Sequence, residues 1–267
     1  MKERIKIPVA TSFLFILLLI FSGSLSDPLG EILYYLAFII PIGIGLYTIR
    51  KQETSGSEKQ AAIGIKLSTG GALTALPMIL PIIGATALVS FLTSELMGAF
   101  GITNEQSFEE PFMLALLLHA LIPAVLEEML FRYVPLKLLS ANRRCAVTVS
   151  AILFAFSHAS LFQIPYALLA GALFAVLCYT TGSIIPSLAV HFLNNTLSLI
   201  LIYGYGGLWL YITLCVLLVA SICAIAIKRK RYAELISSAL AGKTVFSYEL
   251  ILFISITALL ALTNLFA

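Results

Sequence analysis

Apolar residues fill the chain in long runs, and the polar residues gather in the short stretches between them. A helix needs ~20 mostly apolar residues to cross the hydrocarbon of a bilayer. Nine runs approach that length: roughly 7–25, 31–49, 72–92, 112–131, 145–162, 164–181, 184–203, 207–227 and 246–266. Only a short turn near Gln163 parts 145–162 from 164–181, so the count is eight or nine. The pattern predicts an all-α fold, a polytopic membrane helix bundle of about 8–9 transmembrane helices. It forms one transmembrane domain over 1–267. The stretch 59–71 reads as an interfacial segment.

Composition agrees. Hydrophobic residues make up 60% of the chain and charged residues only 11%, with a mean hydropathy of +1.04. Soluble domains carry ~25% charged residues. So few charges could not cover a soluble globule of this size, and lipid must face much of the surface. The first run follows Lys2, Arg4 and Lys6 and lacks a clear small-residue cleavage site after it, so it reads as a retained helix. Cys145, Cys178, Cys215 and Cys223 form no close pair and read as small apolar packers.

Charge sets the orientation. With the amino terminus in the cytoplasm, all 16 Lys and Arg residues of the nine-helix reading fall on the cytoplasmic side. The segment 93–111, on the other side, carries Glu95, Glu105, Glu109 and Glu110 and no Lys or Arg. The carboxyl terminus is then external. The basic run at 228–231 reads as a juxtamembrane anchor for anionic lipids rather than a nucleic-acid site.

Ionisable residues inside a bilayer are costly, so each is a functional candidate. Glu127, Glu128 and Arg132 lie in the fourth run, His158 in the fifth, and His191, Asn194 and Asn195 in the seventh. Glu128 and Arg132 are four apart, which allows an ion pair; Phe154 and His158, and His191 and Asn195, share the same spacing and so each pair presents one helix face. Counted from a turn at 140–142, Glu127 and His158 fall at similar depth, provided the fourth helix continues past Arg132 with Pro135 as a kink. A carboxylate beside an imidazole can take a proton from water. A second imidazole and a carboxamide can donate to an oxyanion. Glu127, His158 and His191 could equally hold a zinc ion with an open position. His119, eight residues before Glu127, reads as a packing or interfacial group. Ala167, Gly171 and Ala175 recur every four residues and predict close helix packing.

These motifs resemble those of the CAAX prenyl endopeptidase and bacteriocin-processing family, also called CPBP or Abi. Glu127, Glu128 and Arg132 match its EExxxR motif, Phe154 and His158 its FxxxH, and His191 and Asn195 its HxxxN, in the family's order. The resemblance covers about 112–203, the four-helix catalytic core, with 1–111 and 204–267 as flanking helices. It implies an intramembrane endopeptidase, opening toward the cytoplasm, that acts on a membrane-associated peptide or protein. Glu127 would be the base with His158 beside it. His191 and Asn195 would stabilise the oxyanion, Glu128 and Arg132 would be structural, and Phe154 would pack near the site. Both zinc and metal-free mechanisms are described for such proteins. Asn195, a poor zinc ligand and a good donor, favours the version that requires no cofactor. It also implies a bacterial or archaeal cytoplasmic membrane.

HExxH and GxSG motifs are absent, and a single aspartate, Asp27, precludes an aspartyl dyad within the chain. The rival readings are a proton-coupled transporter, for which no internal repeat is found, and a non-catalytic immunity or scaffold protein of the same fold.

Overall fold

The computed structural model describes residues 2–26, 28–54, 63–103 and 108–265. Asp27, Lys59 and Glu105 lie outside them. Among the described residues ten helices follow one another: α1 (Lys2–Ser22), α2 (Leu29–Thr54), α3 (Thr69–Ala99), α4 (Phe112–Leu138), α5 (Arg143–Ser157), α6 (Ile164–Thr181), α7 (Ile185–Ile202), α8 (Leu208–Ile227), α9 (Arg229–Ala239) and α10 (Tyr248–Thr263). Among the described residues seven are long and apolar enough to cross a membrane, α10 is a shorter apolar helix, and α5 has 15 residues. The protein is an all-α polytopic membrane bundle. Each predicted run contains a helix, but several differ in extent, α2 among them, which runs on to Thr54. Helix α3 is longer at both ends, α4 continues to Leu138, and α5 stops at Ser157 rather than near 162.

Helix α4 runs through the middle, against α2, α5 and α7. Helices α1 and α2 pair on one flank, α5 packs on α6, and α3 covers α6 on its far side with α8 outside it. The packing of α5 on α6 is close because of one residue: a Cβ at Gly171 would stand 2.8 Å from the Ala151 Cα. Ala167 and Ala175, one turn either side, are fully buried. The predicted small-residue stripe is this seam. Large apolar side chains such as Leu17, Phe21, Leu88, Phe91, Trp209 and Val216 stay exposed, as a lipid-facing surface requires.

The basic residues sit at one end of the bundle, and polar contacts knit that end together. Lys6 pairs with Glu249 at 3.7 Å, Lys137 with Glu53 at 3.7 Å, and Arg144 Nε donates to the Leu240 carbonyl at 2.8 Å. Asn142 caps α5 by accepting from the Cys145 N–H and also donates to the Lys243 carbonyl at 2.7 Å. Before α3 the chain is an extended strap: Gly64 N–H donates to the Gly182 carbonyl, and Ile184 N–H to the Gly64 carbonyl, each at 3.0 Å. The run at 228–231 opens α9, an amphipathic helix lying across this end. Arg231 donates to Thr74 Oγ1 at 3.2 Å and the buried Tyr232 hydroxyl to the Thr74 carbonyl. The opposite end has no Lys or Arg among the described residues. There Asn264 donates to the Ala159 carbonyl at 3.0 Å, and the Tyr203 hydroxyl donates to the Glu110 carbonyl.

Candidate active site

The site is built around the irregular winding of α4. Two π-helical turns, Leu116–Leu121 and Met129–Tyr133, flank the stretch that carries Glu127 and Glu128. Such turns shift the register of the side chains after them and recur at functional sites. Two prolines accompany them. Pro135 has no N–H to return to the Phe131 carbonyl four residues back. The Ser150 hydroxyl of α5 donates to that carbonyl instead, and the Tyr179 hydroxyl of α6 donates to the Leu136 carbonyl at 3.0 Å. The kinked end of α4 is thereby tied to α5 and α6.

One turn of α4 places a fully buried ion pair beneath the site. Glu128 and Arg132 have side-chain exposures of 0%, with Arg132 Nε 3.4 Å from Glu128 Oε1. The guanidinium makes no hydrogen bond. It lies 3.7 Å from the centroid of the Phe154 ring and 5.3 Å from that of Phe174, so aromatic faces supply the rest of its solvation. Glu128 also accepts from the Ser187 hydroxyl and, at 3.0 Å, from His191 Nδ1. A carboxylate only accepts, so the His191 Nδ1 carries the proton and Nε2 points the other way. That nitrogen stands 3.6 Å from Glu127 Oε2. The chain Arg132–Glu128–His191–Glu127 runs from the core to a cavity, where Glu127 is 17% exposed.

The cavity has a volume of about 270 Å³. Glu127, His158, His191 and Asn195 all line it, with Phe154 and Phe174 beside them. His158 Nδ1 lies 2.7 Å from the Phe154 carbonyl. A carbonyl only accepts, so here too Nδ1 is the donor and Nε2 is left for the cavity. The ring is held where α5 ends: His158 is the C-cap, and Ala159 follows with φ +46°, a left-handed conformation that costs a non-glycine residue about 1–2 kcal/mol.

The partnering differs from the sequence expectation in two ways. The imidazole paired with Glu127 is His191, while the His158 ring is bonded to Phe154. Glu128 is more than a partner for Arg132, since it also orients His191. Asn194 accepts from Thr86 at 3.2 Å and lines the cavity with Asn195. His119 stands at the rim, stacked on Phe108 with ring centroids 4.4 Å apart and Nε2 3.3 Å from Glu110. The Glu110 carboxyl, outside the spans, is held below the usual carboxylate range by its own backbone N–H and then by His119. Tyr34, Gln163, Tyr166 and Ser187 were not anticipated. Hydroxyl side chains do not stand out within apolar runs, although Ser187, four residues before His191 on the same helix, shares its face.

The cavity extends toward one end of the bundle. Its wall runs from His191 and Phe174 at mid-depth to Phe108, Gln163 and Ile202, all at the end opposite the basic residues. The fully buried Glu128, Arg132, Leu136, Leu138 and Leu139 close it toward the basic end. The reason is the length of α5, whose 15 residues rise only about 22 Å from the basic end before His158.

Zinc needs several donors converging on one point. Glu127, His158 and His191 share the cavity, yet among the described residues no three His, Cys, Asp or Glu side chains are grouped to hold a metal ion. The arrangement as it stands does not fit one.

Fold and site together define an integral membrane protein with a carboxylate–imidazole cluster facing a polar recess within its helix bundle. Residues 109–197 match the family model described as Type II CAAX prenyl endopeptidase Rce1-like. This segment carries all three motifs, and its similarity to that family supports the resemblance drawn from them. No curated protein and no solved structure matches the chain.

Proposed function

We propose that the protein is an intramembrane endopeptidase that hydrolyses a peptide bond of a membrane-associated peptide or protein by Glu127-activated water. The observation that carries this reading is the meeting of Glu127, His158, His191 and Asn195 on one cavity, with Glu127 and His191 Nε2 3.6 Å apart.

The cavity is large enough for a water and the backbone of a bound peptide. Glu127 accepts a proton from that water as its oxygen attacks the carbonyl carbon. The unprotonated Nε2 of His158 accepts the water's other hydrogen and orients it. As the carbonyl oxygen gains charge, the Asn195 amide donates to it, and His191 Nε2 does so once Glu127 has passed on the proton taken from the water. Glu128 stabilises the imidazolium so formed at Nδ1, in the manner of a carboxylate that orients a catalytic histidine. Collapse of the tetrahedral intermediate breaks the C–N bond, and that same proton passes to the leaving amine. Arg132, sandwiched on Phe154 and Phe174, fixes Glu128 and with it His191.

Glu127→Gln retains the shape and removes the base. Peptidomics of membranes carrying this variant or the wild type is expected to show loss of specific cleavage products by ~10²–10⁴-fold. Undiminished cleavage by the variant would remove Glu127 from its role.

A further inference from the structure

We infer that Tyr34, on α2 and outside the matched segment, is a substrate-binding residue whose phenolic hydroxyl donates to a main-chain carbonyl of the peptide beside Glu127. This rests on the peptidase reading and adds to it a further helix that holds the peptide and the form in which the peptide is held.

The reacting groups come from α4, α5 and α7. Two other parts of the same cavity wall are Tyr34 of α2 and Tyr166 of α6. Both are half-buried, and the Glu127 charge acts on both phenols. The Tyr34 ring stands edge-on to Phe38, with centroids 5.6 Å apart, and to Tyr35, at 5.3 Å. A ring packed in this way has its hydroxyl already in place and loses little freedom when a ligand binds.

What the hydroxyl lacks is an acceptor. Elsewhere in the bundle the Tyr179, Tyr203 and Tyr232 hydroxyls each donate to a main-chain carbonyl. Those of Tyr34 and Tyr166 have no partner among the described residues. Among those residues the sealed polar groups without a partner are confined to Arg132, so both hydroxyls remain accessible. A peptide in the cavity brings the acceptor that the other three tyrosines already have. The carbonyls of a helix are bonded within it, so the peptide that meets Tyr34 is extended at that point. A tyrosine near the start of a membrane helix otherwise serves as an interfacial anchor. Tyr35, the next residue, does not line the cavity and measures that role by itself.

Tyr34→Phe removes the hydroxyl and keeps the ring. The probe is a fluorogenic peptide spanning a site that is cut in membranes carrying the wild type and not in those carrying Glu127→Gln. It is assayed in proteoliposomes with the wild type, Tyr34→Phe and Tyr35→Phe. A neutral hydrogen bond made alike in the ground and transition states is lost, so KM is expected to rise ~3–12-fold with kcat unchanged. Tyr35→Phe is expected to match the wild type in both. A misfolded fraction lowers kcat alone and leaves KM legible. An unchanged KM, a fall in kcat alone, or an equal rise in KM for Tyr35→Phe would each overturn the inference. The two readings fail apart: an unchanged KM with Glu127→Gln inactive removes Tyr34 alone, whereas a wild-type protein that cuts no peptide removes both.

Discussion

Consider removal of the Glu128–Arg132 pair. Both side chains are wholly buried, with 3.4 Å between charged atoms. At an effective dielectric of 20 that separation corresponds to about 5 kcal/mol of attraction. Breaking such a pair on one side leaves an uncompensated buried charge and costs about 3–5 kcal/mol. Arg132→Met belongs at the lower end of that range, because Glu128 keeps its donors Ser187 and His191. Glu128→Gln belongs at the upper end, because the guanidinium has no hydrogen bond to fall back on. Replacing both charges by neutral groups of similar shape is often neutral. The double variant Glu128→Gln/Arg132→Met is thus expected to lie within about 2 kcal/mol of wild type. Titration with sodium dodecyl sulfate in mixed micelles, followed by circular dichroism, reads the three values.

Activity should part from stability in the same series. The double variant regains its fold but has no carboxylate behind His191, so cleavage should remain down by ~10²-fold or more. If the two single losses simply add in the double variant, the charges are not coupled. If the double variant cleaves normally, Glu128 does not act through His191.

Three further outcomes follow from other parts of the molecule. Gly171→Leu pushes a side chain against the Ala151 backbone and is expected to cost about 1–3 kcal/mol in the same titration, with Gly171→Ala milder; an unchanged midpoint would show that α5 and α6 can separate freely. Prolonged treatment with EDTA is expected to leave cleavage intact, and loss restored by zinc would mean that the donors rearrange around an ion. The depressed Glu110 carboxyl stabilises the Phe108–His119 rim at pH above the ordinary glutamate value of 4.5, and that contribution disappears as pH falls through its lowered value. Hydroxyl-radical footprinting should therefore show Phe108 fully protected at pH above 4.5 and reactive only once pH has fallen through the lowered Glu110 value, with the step absent in Glu110→Gln; a flat wild-type profile would refute the coupling.

Hydropathy placed every membrane helix, because a bilayer forces each backbone polar group to be satisfied within its own segment. It failed where an apolar stretch is not helical. Ala159, Leu161 and Phe162 look like more of the fifth helix, but the His158 ring bonds the Phe154 carbonyl and Ala159 turns left-handed. Averaging over a window cannot see a turn made by one side chain. The basic run at 228–231 was read as an anchor, and α9 was missed. Its sign was present in Tyr232, Ile236 and Ala239, spaced as one face of a short helix. The motifs located the reacting groups, yet spacing along a helix says nothing of partners on other helices. That Glu128 reaches Ser187 and His191 follows only from how α4 meets α7.

The shortness of α5 connects these points. A full-length fifth helix would carry its backbone hydrogen bonds on through 158–162. Ending it at Ser157 leaves 158–163 outside any helix and puts His158 in the cavity wall. The same truncation gives the imidazole its carbonyl partner, since the last turn of a helix has carbonyls without intrahelical donors. A buried carboxylate on the neighbouring helix can then be both close to water and shielded from the basic end. Lengthening α5 by converting Ala159 to a helix-favouring context, without touching Glu127 or His191, should close the recess and silence the site together.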